Sequence, residues 1–253
     1  MLTIVLLGTG NLSKHLFEAF SKTEKAKVIQ VVGRNNDRLS QFSRTVAVSN
    51  DFGSIMDADI YIIAVNDDAI LEVSNHLLNK KGIVVHTSGA MNMDVIKVEN
   101  RGVFYPLQTF TEDKPLDFTT IPICVEAKSL ETLQLLKKLA GAISNNVQEI
   151  DSAQRKKMHL AAVFVNNFTN YLYGVGEAIC LEEGLSFDLL KPLILETAEK
   201  VQSMSPWEAQ TGPAKRGDKK SIQGHLTLLK DKTQIELYTL ISEAIKQAYE
   251  KKL

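Results

Sequence analysis

Up to about residue 150 this chain alternates short apolar runs with amphipathic segments, and beyond that point the apolar runs stop. The runs are TIVLLG (3–8), KVIQVVG (27–33), TVAV (45–48), DIYIIAV (59–65), GIVVHT (82–87), GVFYPL (102–107) and IPICVE (121–126). Most are continuous rather than alternating, the pattern of parallel strands buried on both faces. Segments with helical spacing at 11–22, 36–44 and 68–79 separate several of them. Strand–helix alternation of this kind implies an α/β fold with a doubly wound parallel sheet. Residues 152–183, 186–204 and 218–251 then read as helix, punctuated by Gly184, Pro206 and the stretch 210–217. The expected organisation is a sheet domain at 1–150 and an all-α domain at 151–253.

Composition narrows the classes of function. Apolar residues make up 44% of the 253 and charged residues 23%, with a formal net charge of −1. Such a chain reads as a soluble globular protein with no basic field for nucleic acid or an anionic membrane. No apolar run approaches the roughly 20 residues that span a bilayer. The first residues, MLTIVLLGTG, reach a glycine at position 8 without a basic leader, so they read as a strand rather than a signal peptide. Cys124 and Cys180 both lie in apolar runs, which suits buried thiols in a reducing compartment. A cytoplasmic protein without a metal site is expected.

The strongest chemical signal is VLLGTGNLSKHLFEAF, where Gly8 and Gly10 directly follow the first strand and a helix begins. The pattern is G-x-G-x-x-S. Gly8 allows a tight turn, Gly10 lets backbone approach a pyrophosphate, and Ser13 is small enough for close helix–strand packing. The phosphates would sit on the helix N-terminus near Asn11 and Leu12. A tight turn that holds no ligand is the competing reading. The second strand ends VVGRNNDRL, without the acid that holds ribose hydroxyls in an NAD site. Arg34 and Arg38, helped by Asn35, could instead grip a 2′-phosphate, so NADP is favoured over NAD. Two solvated arginines at a helix start are the alternative.

Ligands of open α/β sheets sit beyond the carboxyl ends of the strands, which singles out three further turns. AVNDDA places Val65 and Asn66 near the cofactor ribose, HTSGAM places His86 and Ser88 near the nicotinamide, and YPLQTF offers Gln108 and Thr109. For each turn alone, helix capping competes with function. In the second half, His159, Asn166, Asn170, Tyr173 and Glu177 recur at helical spacing on a segment without charge from Met158 to Gly176. On a regular helix they fall within about 40° of one line. That reads as a buried central helix with one wet stripe, where a substrate or cofactor supplies the polar partners; a polar seam between subunits is the alternative. His159 is its acid–base candidate, because histidine titrates near neutrality, with Ser88 and Asn166 orienting the substrate. The stretch QTGPAKRGD (210–218) offers Arg216 to an anionic group, while Asp218 suits a helix cap.

These motifs resemble the dehydrogenases and reductases that join an N-terminal Rossmann domain to an all-helical domain like that of 6-phosphogluconate dehydrogenase. Pyrroline-5-carboxylate reductases and prephenate dehydrogenases are among them. Within that group HTSGA, YPLQTF, HLAAVFVNNFTN and QTGPAKRGD look like a branch of Rossmann-like NADP oxidoreductases with a C-terminal domain of unknown function. The resemblance implies a homodimer built through the helical domains. It has two departures. The hydroxyacid dehydrogenases of the group carry a catalytic lysine four residues before an asparagine, whereas Val163 precedes Asn167 and Asn166 precedes Asn170 at that spacing here. Members of the branch often carry histidine where Tyr105 stands. The expected activity is NADP-dependent hydride transfer to or from a small polar C=O or C=N substrate, with His86, Gln108, Asn170 and Arg216 as further substrate contacts. A non-catalytic NADP-binding sensor or scaffold is the alternative.

Overall fold

In the computed structural model, which describes residues 1–250, the chain forms two compact units, Met1–Phe164 and one that begins at Val165. The first is built on eight strands: β1 (Leu2–Leu7), β2 (Ala26–Val32), β3 (Ala47–Ser49), β4 (Ile60–Ile63), β5 (Ile83–His86), β6 (Arg101–Pro106), β7 (Ile123–Ala127) and β8 (Val147–Glu149). They form one sheet in the order β3-β2-β1-β4-β5-β6-β7-β8. Period-two alternation sends Ile4, Leu6, Ile60, Ile62 and Val85 to one face, against helices α1 (Asn11–Ser21) and α4 (Leu130–Ala140). Val5, Leu7, Tyr61, Ile63 and Val84 go to the other face, against α3 (Ile70–Asn75). Both faces are covered, which is why the strand runs are continuously apolar. A five-residue helix, α2 (Asn36–Ser40), follows β2.

Two details differ from an all-parallel sheet. β6 and β7 pair antiparallel, because residues 107–122 between them contain only the single turn Phe118–Thr120 and no crossover helix. β8, paired parallel to β7, is a short polar edge strand with too little apolar signal to read in advance. The order places the topological switch between β1 and β4, whose carboxyl ends therefore flank a crevice.

The compact units divide after Phe164, later than the division expected at 150/151. Helix α5 (Ser152–Ala162) thus belongs to the sheet unit. Asp151 opens it with a capping box, accepting from the Gln154 N–H while Gln154 accepts from the Asp151 N–H. Arg155 ties it down. This side chain is 0% exposed; it pairs with Glu126 on β7, donates Nε–H to the Ser88 carbonyl at 3.1 Å and donates Nη2–H to the Met91 carbonyl and Ser152 Oγ.

In the second unit the long helices are α6 (Thr169–Glu182), α7 (Lys191–Ser203), α10 (Lys219–Leu228) and α11 (Lys232–Glu250), with short α8 (Pro206–Ala209) and α9 (Pro213–Arg216) between them. The chain reaches α6 through a π-helical segment, Val163–Phe168. Among the described residues no helix is long and apolar enough to cross a membrane. Both cysteines are free, Cys124 buried and Cys180 partly so.

Removing one partner of a buried ion pair leaves the other charge uncompensated, typically at a cost of about 3–5 kcal/mol. Arg155→Ala should lose stability on that scale and leave the 88–91 loop open to proteolysis. Chemical denaturation within 1 kcal/mol of wild type would show that the pair does not anchor this unit.

Candidate functional site

The crevice at the switch point begins with a turn that tolerates no side chain. Gly8 follows β1 at φ +127°, its N–H donates to the Val32 carbonyl at 2.7 Å, and a Cβ there would stand 2.1 Å from the Ala64 carbonyl oxygen. Gly10 then serves as the N-cap of α1, and nothing lies within 4 Å of the place its Cβ would take. The first turn of α1 carries no acidic residue, so its N–H groups and dipole face the crevice uncompensated. Below them the hydroxyl of Ser13 is 0% exposed and has no hydrogen-bond partner. A closed turn, an open approach at Gly10, a bare helix N-terminus and an orphaned hydroxyl together fit a phosphate group.

A cleft of about 700 Å³ extends from this turn. It brings together Gly8, Gly10, Asn11, Leu12, Arg34, Asn35, Arg38, Val65 and Asn66. Arg34 and Arg38 are exposed, and neither takes part in an ion pair among the described residues. Two of the asparagines have structural duties as well. Asn35 Oδ1 caps α2 by accepting the Arg38 N–H at 2.9 Å, and Asn11 Nδ2 donates to the Phe110 carbonyl at 3.0 Å. Thr9, Phe52, Glu72 and Thr87 also line the cleft and were not anticipated. Their residue types carry no motif, and only the fold brings them to this rim.

The expected rim of polar turns is only partly polar in fact. His86, expected as a substrate contact, is the last residue of β5 and is 0% exposed. Its Nδ1 accepts the Ser88 N–H at 3.2 Å. Burial, with a smaller contribution from the Arg155 charge, lowers its pKa from 6.5 to about 4. His86 is therefore a buried neutral imidazole that supports the loop, and this corrects its placement at the substrate. Ser88 is 8% exposed; its Oγ accepts the Ala90 and Met91 N–H groups at 3.1 and 3.0 Å, which leaves its own hydroxyl proton to donate. Gln108 is exposed, with Oε1 accepting the Thr109 N–H.

His159 meets a partner that the sequence reading had set aside. Its Nδ1 lies 3.1 Å from the hydroxyl of Tyr105, near the end of β6, and it follows Arg155 by one helical turn on α5. That i, i+4 spacing is the available sequence signal for Arg155, and the adjacent Lys156 and Lys157 obscure it.

In the second unit the expected buried stripe is corrected. The π-helical turn at Val163–Phe168 breaks the regular 3.6-residue period on which the stripe was drawn. Asn166, Asn170 and Glu177 are exposed, and so are the apolar residues Val165, Tyr171 and Leu172. Among the described residues α6 has none that is fully buried, and Tyr173 and Cys180 are half-buried. QTGPAKRGD is not an open loop but a helical turn, α9, between Gly212 and Gly217 at φ +103° and +67°. Lys215 is used internally: Nζ donates to the Gln210 carbonyl at 2.7 Å and lies 4.9 Å from the centre of the Tyr249 ring. Arg216 is exposed, and Asp218 caps α10 by accepting the Ser221 N–H at 3.0 Å.

The His86 shift has a definite sign. Unfolded, His86 takes up a proton as pH falls through its ordinary 6.5, whereas in the folded protein it does so only near 4. Its withheld proton has no effect on stability above that range and weakens the fold as pH drops, by about 2 kcal/mol at pH 5 relative to pH 7. In His86→Asn the loss of denaturant stability between pH 7 and pH 5 should shrink by about that amount. An unchanged pH dependence would contradict a buried neutral imidazole.

Comparison with known proteins matches residues 3–89 to the family described as "NADP oxidoreductase coenzyme F420-dependent" and residues 121–245 to a domain of unknown function, DUF2520. A comparison with curated protein sequences gives no match. Among solved structures, a Bacteroides fragilis protein named provisionally as an NADP oxidoreductase is 37% identical, over 97% of this chain and 98% of its own, with a TM-score of 0.89. A Thermotoga maritima protein is 25% identical over 98% and 99% of the two chains, with a TM-score of 0.77. The imine reductase from Myxococcus stipitatus in complex with NADP+ shares the fold at 14% identity, over 98% of this chain and 93% of its own, with a TM-score of 0.65. A glycine turn that fits a phosphate at a Rossmann switch point and 37% identity over nearly the whole of both chains lead to one assignment: the chain belongs to the Rossmann-like NADP oxidoreductase family of the Bacteroides fragilis protein, in which that N-terminal domain is followed by DUF2520.

Proposed function

We propose that this protein is an NADP-dependent oxidoreductase that moves a hydride to or from a small polar C=O or C=N substrate. The observation that carries the reading is the cleft itself. Its glycine turn and bare helix N-terminus fit a pyrophosphate, and two exposed arginines without ion-pair partners stand beyond β2, where an NAD site would hold a carboxylate. When bound, the nicotinamide supplies or takes the hydride. The chain's own residues do the rest. Gly8, Gly10, Asn11 and Leu12 hold the pyrophosphate, Arg34, Asn35 and Arg38 the 2′-phosphate, and Val65 and Asn66 the ribose side.

His159 is the group proposed to hand a proton to the substrate, with the Ser88 hydroxyl and Gln108 as hydrogen-bonding partners. The helical unit's Asn166, Asn170 and Arg216 are exposed and are proposed as substrate contacts on the strength of their sequence pattern. A C=N substrate is the class acted on by an imine reductase of the same fold. The helical unit also leaves Tyr171, Leu181, Leu193 and Leu195 between 57% and 68% exposed. Apolar surface of that kind marks an interaction site on a soluble protein, and a homodimer through this unit is the proposed occupant.

Losing a charge-assisted phosphate contact costs about 1.5–3 kcal/mol, or roughly 10- to 150-fold in affinity. Arg34→Ala should weaken NADPH binding by that factor and leave NADH nearly unchanged, as read by fluorescence titration. Equal losses for both would remove the 2′-phosphate role, and a wild type that binds neither would remove the dinucleotide reading.

For the chemistry, NADPH oxidation would be followed with a panel of keto acids, semialdehydes and cyclic imines. With any substrate that is turned over, His159→Asn should slow the reaction roughly 100- to 10,000-fold while cofactor affinity holds. A variant with wild-type turnover would reduce His159 to a structural hydrogen bonder, and a wild type without turnover would favour the sensor or scaffold alternative.

A further inference from the structure

Tyr105 and His159 meet over a glycine. Their ring centroids are 6.1 Å apart at 74°, and the Tyr105 hydroxyl lies 3.1 Å from His159 Nδ1. Gly89 is buried beneath both rings. A Cβ on it would stand 2.6 Å from His159 Nδ1, 2.8 Å from Cγ and 2.9 Å from Tyr105 Cζ. The backbone that presents Gly89 is held in turn by Arg155, through the carbonyls of Ser88 and Met91. The glycine at this place in HTSGA thus makes room for the two rings to touch.

The roles within the pair follow from what else Tyr105 can bond. Its side chain is largely enclosed, at 9% exposure, and among the described residues His159 is the hydroxyl's one hydrogen-bond partner. A buried hydroxyl seeks an acceptor for its proton, and Nδ1 is the acceptor within reach. Burial first, and then the neighbouring Cys124, push the phenol up to about 12, so it keeps its proton at neutral pH. If Nδ1 accepts, the neutral ring carries its proton on Nε2, which has no partner within the sheet unit. If the ring gains a second proton at Nδ1, the hydroxyl turns and accepts it, and Nε2 still carries its own; this ring can give the Nε2 proton to an acceptor and stay neutral, keeping the Nδ1 proton that the tyrosine oxygen accepts.

We propose that Tyr105 is a positioning residue for His159, holding Nδ1 so that Nε2–H is presented as a donor in both protonation states. The inference rests on the reading of His159 as the proton-handling group. It also narrows the substrate: the atom facing Nε2 is a lone-pair acceptor, a carbonyl oxygen or an imine nitrogen, rather than a hydroxyl or ammonium group awaiting a base.

The test uses the full-length protein without any ligand. Long-range ¹H–¹⁵N correlation spectra of histidine-labelled protein, recorded at about pH 9 where histidine is neutral and the tyrosine protonated, report the tautomer of each ring. His159 is assigned by its absence in His159→Asn. Wild type should show Nε2 protonated and Nδ1 at the shift of a hydrogen-bonded acceptor. In Tyr105→Phe the Nδ1 signal should move to that of a free nitrogen while the other histidines stay in place. Gly89→Ala should move it too, although the hydroxyl is retained, because the added methyl displaces the ring. A wild-type ring protonated at Nδ1, or an Nδ1 signal unmoved in Tyr105→Phe, overturns the proposal, and the assigned wild-type spectrum decides even if Tyr105→Phe and Gly89→Ala fail to fold. The expected spectra together with an active His159→Asn would keep the positioning role and remove the proton-transfer reading, so the two fail separately.

Discussion

A guanidinium with no access to water holds the sheet unit's site in place. Burying a charge is costly unless it is paired and hydrogen-bonded, and each nitrogen of Arg155 has a partner, from a carboxylate, a hydroxyl and two backbone carbonyls. Those partners come from three places in the chain: β7, the loop after β5, and α5 itself. None can shift without stranding the charge, so the loop at Ser88–Met91 and the start of α5 are fixed relative to each other. His159 lies one turn further along that helix and inherits the constraint.

The same charge also bears on its titratable neighbours. It adds to burial in keeping His86 neutral, and it opposes burial at Tyr105 and Cys124 without cancelling it. The result is a buried cluster that stays in one protonation state near neutral pH. Arg34 and Arg38 differ in kind, because they stand in water and are screened by salt. One buried cation shapes the site, while exposed cations beside the cleft are free to meet a ligand.

Much of the cleft was legible because its chemistry is local. Gly8, Gly10 and the start of α1 form a turn whose geometry depends on a few consecutive residues, and so does the bare pair of arginines after β2. The rim was less legible. His86 and Ser88 are polar residues after a strand, which is the pattern of a site. Whether such a side chain points into a crevice or into the core depends on the neighbouring strands and on α5, far along the chain. Tyr105 carries no motif of its own, and its contact appears only when α5 brings His159 over Gly89. The stripe from His159 to Glu177 assumed an unbroken α-helix, and six residues of π-helix undo that assumption.

By itself the sequence determined the α/β unit, the helical segments after it, and the glycine turn after β1. Strand runs, helical periodicity and glycine positions express hydrophobic burial and backbone sterics within short stretches of chain. Tertiary structure alone decided that β7 runs antiparallel, that α5 belongs with the sheet, and that Arg155 and the Tyr105–His159 pair stand behind the loop after β5. The last two depend on contacts between residues more than fifty positions apart. A buried charge or a shared proton takes its meaning from the partners that the fold brings to it.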